Sequence, residues 1–108
     1  MTQAPLWWHR VDRAGTVSTI MISGELDLSA EPGLREALTD ELHRPGIMSL
    51  VVDMSSVSFI DSPGLSVLVR VLNIAHDADC QFTVTASRAV RRILEVTGLA
   101  DLLSAGDR

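Results

Sequence analysis

The chain has 108 residues, of which 46% are hydrophobic and 21% charged, and its formal net charge at pH 7 is −5. This balance argues against an intrinsically disordered protein and predicts one compact domain over residues 1–108, with an ordered core at approximately 6–104. The negative charge argues against nucleic acid as a direct partner, because binding to phosphates needs a basic surface.

The cysteine content and the distribution of apolar residues bear on the compartment. Cys80 is the single cysteine, so one chain forms neither an internal disulfide nor a thiolate metal cluster. No run reaches the roughly 18 apolar residues of a membrane-spanning helix, and residues 1–10 lack the apolar segment of a signal peptide. We therefore expect a cytoplasmic protein that does not contact membranes, with Cys80 as a small buried side chain.

The first predicted elements are two strands joined by a tight turn. Residues 6–11 and 16–23 are rich in Trp, Val, Ile and Thr, and residues 12–15 between them have the sequence Asp-Arg-Ala-Gly. This pattern is typical of a β-hairpin. Because successive side chains of a strand point to opposite sides, we expect one of Trp7 and Trp8 to pack on the core and the other to be exposed.

A helix and a buried strand follow the hairpin. Ser29 is a suitable helix N-cap, Pro32 lies in the first turn, and apolar residues recur at helical spacing until residues 45–46. The nearly unbroken apolar run at residues 47–52 predicts a strand in the middle of a sheet.

The second half predicts a helix, a strand and a further helix. After a polar connection at residues 53–56, a helix begins at Ser62, and residues 81–86 have the pattern of a strand. Ser87 fits the N-cap of a third helix that ends near Gly98.

The second predicted helix is apolar over more than a single stripe. Val67, Val71 and Ile74 widen the apolar surface that Leu65 and Leu68 already form. Packing between helices is a more common reason for such breadth than a surface that binds a partner, so we expect these valines to be buried.

The order of elements is ββαβαβα, with a short helical tail at residues 99–103. This order predicts an α/β fold, because parallel neighbouring strands need long, right-handed connections. We expect a mixed sheet of four to five strands with an N-terminal hairpin and with crossover α-helices packed on it.

The residues that connect the central strand to the second helix are the most informative about function. Ser62 fits the N-cap and Pro63 the first helical position, where the missing N–H of proline costs nothing. A hydroxyl group at this point lies near the positive end of the helix dipole, so a phosphate group fits there without unfolding the helix. For a serine before a proline at the start of a helix, a structural cap is the more common role when nothing else is considered.

The surrounding residues give Ser62 a second interpretation. Residues 59–65 (Phe-Ile-Asp-Ser-Pro-Gly-Leu), following 51–55, with Gly-Glu-Leu-Asp at 24–27 and Thr-Gly-Leu at 97–99, resemble the STAS domain family, specifically bacterial anti-sigma factor antagonists. The resemblance spans nearly the whole chain and implies a single STAS-like domain.

The resemblance also implies a mechanism. In this family, a kinase-type anti-sigma factor phosphorylates the serine that corresponds to Ser62. The unphosphorylated form binds the anti-sigma factor and releases the sigma factor, the phosphorylated form does not bind, and a phosphatase restores binding. The family commonly has serine or threonine where this chain has Pro63, so Ser62 is the one hydroxyl group between Asp61 and Gly64.

The expected partner surface surrounds this serine. A phosphate group of about −1.5 to −2 charge units beside Asp61 and near Asp27 would repel a partner that matches a neutral hydroxyl. Both aspartates also have ordinary roles, one before a helix and the other in a turn. The expected partner-binding residues are Asp27, Asp61, Ser62, Pro63, Gly64 and Ser66.

An enzyme needs a nucleophile with a base and an oxyanion donor, or a metal site. His9, His43 and His76 are spread over three predicted elements without metal-ligand spacing, and the chain has neither a Gly-x-Ser-x-Gly elbow nor a Walker phosphate loop. We therefore expect no enzymatic activity, no cofactor and no metal ion.

A basic group lies on the polar face of the third predicted helix. Arg88, Arg91 and Arg92 fit a solvent-exposed face, which is the simpler interpretation. The same arginines could attract a phosphate group or an acidic partner.

Two alternative functions stay open at this point. The chain could be a STAS scaffold subunit of a larger signalling assembly, in which phosphorylation tunes contact rather than abolishing it. It could also be a STAS module that binds a nucleotide or a lipid, for which the sequence gives little support. Stoichiometry separates the first alternative from an antagonist, which we expect to be a monomer or weak homodimer that forms a one-to-one complex.

Overall fold

The computed structural model describes residues 6–100. These residues form one four-stranded sheet in the order β1-β2-β3-β4, in which β1 is antiparallel to β2 and the other neighbours are parallel. The strands are β1 (Trp7–Ala14), β2 (Val17–Leu26), β3 (Ser49–Ile60) and β4 (Gln81–Ala86). The helices are α1 (Glu31–Leu42), α2 (Ser62–Asp77) and α3 (Arg88–Thr97). The predicted α/β fold is confirmed, whereas most of the predicted tail at 99–103 lies outside the described residues.

The core lies on one face of the sheet. Ile20, Val52 and Val84 are neighbours across the three parallel strands, and all three are buried. The next residue along each strand points to the opposite face, and it is only partly buried or exposed. The three helices therefore cover one face, and the fold has two layers.

Two predicted strand boundaries are wrong. The hairpin turn lies at residues 15–16 rather than 12–15, and Gly15 supplies the positive φ of +61° that the turn needs. β3 continues to Ile60, so residues 53–56 belong to the strand and are not a polar connection. Met54, Val57 and Ile60 continue its buried side, while the polar residues between them are more exposed. The irregular pairing of β2 with β3 beyond Met21 disturbs the strict alternation that a sequence pattern would show.

Ser29 is not the N-cap of α1, contrary to the prediction. Residues 28–30 form one turn of 3₁₀-helix that is capped by Asp27. The Oδ1 of Asp27 accepts hydrogen bonds from the backbone N–H of Ser29 at 3.0 Å and from its hydroxyl group at 2.6 Å. Asp27 thus caps the 3₁₀ turn, whereas α1 begins at Glu31 after Ala30 and has no side-chain cap.

Ser62 is not the N-cap of α2 either. Asp61 holds that position, because its backbone is extended and its Oδ1 accepts a hydrogen bond from the backbone N–H of Gly64 at 3.2 Å. Ser62 is the first helical residue and Pro63 the second. The predicted caps of α3 are confirmed: the Ser87 hydroxyl accepts from the Val90 N–H, and Gly98 ends the helix with φ +77°.

The packing predictions for individual side chains are confirmed. Val67 and Val71 are buried in the core, where α2 packs beside α1. Cys80 is also buried, and its burial raises the pKa of the thiol. Trp7 packs partly on the core, whereas Trp8 is exposed.

A buried carboxylate connects the end of β1 to the end of α1. Glu41 is 3% exposed, and it accepts hydrogen bonds from Arg13 Nε at 2.9 Å, from Arg13 Nη2 at 2.7 Å and from the Ser18 hydroxyl at 2.7 Å. The Nε of Arg44 lies 3.4 Å from Oε2 of Glu41. The hydrogen bonds from Arg13 lower the pKa of Glu41 from 4.5 to about 2, against the opposing effect of burial.

We expect Glu41 to make the stability depend on pH between about 4.5 and about 2. Folding favours the ionised carboxylate, so its contribution is complete above pH 4.5 and is lost as the pH falls through the lowered pKa of about 2. Urea denaturation at a series of pH values should show a smaller decline in this range for Glu41→Gln than for the wild type. Glu36→Gln, which changes an exposed carboxylate of the same helix, should retain the wild-type decline. Equal declines for the wild type and Glu41→Gln would contradict this role.

We expect Asp61→Ala to lower the free energy of unfolding by about 1 kcal/mol, because α2 loses its side-chain cap. Asp61→Asn is the matched control and should stay close to the wild type, since its amide oxygen can accept the same hydrogen bond. Ser62→Ala should change the free energy of unfolding by less than about 0.5 kcal/mol. Urea denaturation at neutral pH measures all three, and a larger loss for Ser62→Ala than for Asp61→Ala would contradict the assignment of the cap.

Candidate functional site

The candidate site lies where the parallel strands β2 and β3 end. Leu26 and Ile60 are the last paired residues of the two strands, and the N–H of Asp61 donates to the carbonyl oxygen of Leu26 at 3.2 Å. Asp27 and Asp61 each follow one member of this pair. The register therefore brings the two predicted acidic residues to the same edge of the sheet.

Both aspartates use their side chains to begin a helical turn. Oδ1 of Asp27 caps the 3₁₀ turn, and Oδ1 of Asp61 caps α2. A carboxylate has two oxygen atoms, and these caps use one in each residue. The ordinary structural role of each aspartate is thus present, and it leaves acceptor capacity at the surface for a partner.

Ser62 is exposed, and its hydroxyl group forms no hydrogen bond within the described residues. The backbone donors around it are nearly all committed: Pro63 has no N–H, and the N–H groups of Gly64 and Leu65 donate to Asp61. A phosphate group on Ser62 would therefore find few donors at the end of α2. It would stay at the surface, where it could act on another protein.

The other predicted site residues differ in their exposure to solvent. Ser66 is exposed one turn after Ser62 and lies on the same side of α2, as residues four apart do. Pro63 is partly buried. Gly64 is buried, and a Cβ atom there would lie 2.8 Å from Cγ1 of Ile60. The small size of Gly64 thus lets α2 approach β3, which supports the site without offering a side chain to a partner.

A groove begins at Ser62 and follows α2. Its volume is about 520 Å³, and it is formed by one side of α2 and by residues at and just beyond the end of α3. Leu65 and Val69 supply apolar surface, and Arg70 supplies a positive charge. The lining residues are Ser62, Leu65, Ser66, Val69, Arg70, Asn73, Thr97 and Leu99.

Two exposed apolar residues at this edge were missed by the sequence analysis. Leu28, directly after Asp27, is 70% exposed, and Phe59, two residues before Asp61, is 46% exposed. Exposed large apolar side chains in a polar surrounding are typical of surfaces that bind proteins. The signal in the sequence was a leucine in an otherwise polar segment, directly after Asp27.

The histidines do not form a ligand set. Among residues 6–100, no group of three or more His, Cys, Asp or Glu side chains is arranged to hold a metal ion. His9 stacks on Trp7 with ring centroids 5.6 Å apart. No helix in this part of the chain is long and apolar enough to cross a membrane.

Comparison with known proteins agrees with the resemblance found in the sequence. The family model described as "Mlab, STAS domain" matches residues 9–104. The anti-sigma-B factor antagonist of Staphylococcus aureus strain NCTC 8325 is 33% identical over 85 residues, which cover 78% of this chain and 78% of that protein.

Solved structures share the fold. An anti-sigma factor antagonist from Mycobacterium paratuberculosis has a TM-score of 0.79 and 29% identity, over 94% of this chain and 87% of that one. The phosphorylated form of SpoIIAA, a Bacillus cell fate determinant, has a TM-score of 0.64 and 18% identity, over 85% of each chain. With the family model matching residues 9–104 and these relatives covering most of the fold, the chain belongs to the STAS domain family.

Proposed function

We propose that the protein is an anti-sigma factor antagonist with Ser62 as its switch. In its unphosphorylated form it binds a kinase-type anti-sigma factor, which then releases its sigma factor. The kinase phosphorylates Ser62, binding ends, and a phosphatase restores the first form. The observation that carries this proposal is the exposed hydroxyl group of Ser62, which has no hydrogen-bond partner among residues 6–100 and lies between the Asp61 cap and the groove along α2. The relatives named as anti-sigma factor antagonists support it.

The surroundings of Ser62 suit binding to a protein better than catalysis. Leu28 and Phe59 offer apolar area, and Asp27 and Asp61 offer polar rims at the same edge of the sheet. Protein interfaces commonly combine an apolar centre with a polar rim. A partner that covers Ser62 can therefore gain contact energy from the apolar pair and orientation from the two carboxylates.

Phosphorylation changes this surface without changing the fold. It adds about −1.5 to −2 charge units next to Asp61, and the end of α2 has few backbone donors left to compensate them. A partner that buries the site would have to remove water from this charge, which costs several kcal/mol unless it supplies its own cations. The phosphorylated form should therefore lose affinity while keeping its stability.

We expect phosphorylation of the purified protein by its kinase-type anti-sigma factor to depend on Ser62. Incubation with candidate kinases and ATP, followed by mass spectrometry, should place the phosphate on Ser62 and show none in Ser62→Ala. Ser66→Ala is the matched control, since it removes an exposed hydroxyl group one turn away, and it should be phosphorylated. Ser62→Ala should still bind, and Ser62→Asp should bind at least about tenfold more weakly.

Two results would contradict the proposed switch. One is a phosphate found at another residue with Ser62 unmodified. The other is equal affinity of the wild type, Ser62→Ala and Ser62→Asp for the anti-sigma factor, measured by titration calorimetry. A large homomeric or mixed assembly in place of a one-to-one complex would favour the scaffold role.

A further inference from the structure

The exposed side of α3 carries three arginines that the proposed switch does not use. Arg88, Arg91 and Arg92 are all exposed, and their spacing of three and four residues places them on one side of the helix. We call these three residues the α3 basic face. The protein as a whole is acidic, with 14 Asp and Glu against nine Lys and Arg. A third of its basic side chains are thus on five consecutive residues.

The α3 basic face forms no ion pair with an acidic side chain among residues 6–100. The ion pairs among residues 6–100 involve Arg13, Arg35 and Arg44, and none involves α3. Glu95 is four residues after Arg91, which is a suitable spacing for a pair, but its carboxylate is not within 4.0 Å of any of the three guanidinium groups.

The position of Arg88 also opposes the helix dipole. It is the first residue of α3, where the backbone N–H groups give a partial positive charge, and the first turn contains no acidic residue. In α1 the order is the favourable one: Glu31 is in the first turn and pairs with Arg35 one turn later. Within residues 6–100, the arginines of α3 therefore form no ion pair that stabilises the fold, and in this part of the chain their charges are left for another molecule.

The charges and the fold together favour a protein partner. The net charge of −5 opposes binding to nucleic acid and to anionic membranes, because both present negative charge over a large area. A short acidic segment of a protein can instead contact the α3 basic face without contacting the acidic remainder of the surface. The end of α3 borders the groove that begins at Ser62, through Thr97 and Leu99. A helix of ten residues is about 15 Å long, so a protein bound at Ser62 that extends along α3 would reach the arginines.

We propose that the α3 basic face binds an acidic segment of the anti-sigma factor and guides its approach to Ser62. This inference rests on the proposed function. Because the arginines are exposed and lie away from the switch, they should act mainly on the rate of association and on its dependence on salt. Substitution of these arginines should leave the effect of Ser62 phosphorylation on binding unchanged.

The first test measures association rates with the full chain. Stopped-flow mixing with the anti-sigma factor at low and at physiological ionic strength should show association about tenfold slower at low salt for Arg91→Glu. Arg10→Glu is the matched control, because it reverses one exposed charge on β1, and it should stay within about twofold of the wild type. In the triple variant R88Q/R91Q/R92Q, the association rate should depend less on salt than it does in the wild type. Circular dichroism checks that each variant is folded.

The outcomes separate this inference from the proposed function. Loss of binding in Ser62→Asp, together with equal association rates for Arg91→Glu, Arg10→Glu and the wild type, would overturn the role of the α3 basic face and leave the switch intact. An unchanged salt dependence in the triple variant would overturn it as well.

A second test does not need the anti-sigma factor. Titration of the ¹⁵N-labelled protein with a ten-residue glutamate peptide should shift the amide signals of residues 88–92 and should weaken with salt. A ten-residue lysine peptide should leave these signals unchanged. Signals of residues 88–92 that do not respond to the glutamate peptide, or that respond at lower concentrations to duplex DNA or to vesicles with anionic lipid, would overturn the inference.

Discussion

The parallel pairing of β2 with β3 is the constraint on which the site depends. This pairing ends at Leu26 and Ile60, so the chain leaves both strands at the same edge of the sheet and enters two helical turns side by side. Gly64 then allows α2 to lie close to Ile60, where a Cβ atom would be too near. A shift of the register by one residue would exchange the two faces of β3 and separate Asp27 from Asp61. The core and the site are therefore fixed by the same set of backbone hydrogen bonds.

Asp61 and Ser62 have separate roles, and this separation would allow Ser62 to be phosphorylated without loss of stability. The carboxylate of Asp61 holds the first turn of α2, and the neighbouring hydroxyl group of Ser62 has no hydrogen-bond partner among residues 6–100. If Ser62 were the cap, its modification would remove a hydrogen bond from the helix. Because the cap lies one residue earlier, a phosphate group on Ser62 alters charge and hydration at the surface only.

The elements that follow local patterns could be predicted from the sequence. The strand Gln81–Ala86, the Ser87 cap and the end of α3 at Gly98 were all expected, since each depends on residues close in the chain. The predicted cap at Ser62 was wrong because Asp61, one residue earlier, accepts from the N–H of Gly64. The predicted cap at Ser29 was wrong because Ser29 lies in a 3₁₀ turn and donates both its N–H and its hydroxyl group to Asp27. The contact of Arg13 with Glu41 joins residues 28 apart in the sequence, and no local pattern indicates it. The acidic positions and Ser62 were expected at the site, but the exposure of Leu28 and Phe59 depends on the tertiary fold.

In the proposed mechanism, Ser62 and the α3 basic face act at different steps of binding. Exposed charges at the rim of an interface act over several ångströms before contact and so affect how fast two proteins meet. A phosphate group under a partner acts after contact, when water must be removed from it, and so affects how long the complex lasts. Phosphorylation of Ser62 leaves the arginines of α3 unchanged, so the phosphorylated protein should still meet the anti-sigma factor quickly but leave it quickly. In the proposed mechanism, the short lifetime of the phosphorylated complex would free the kinase for the next unphosphorylated molecule.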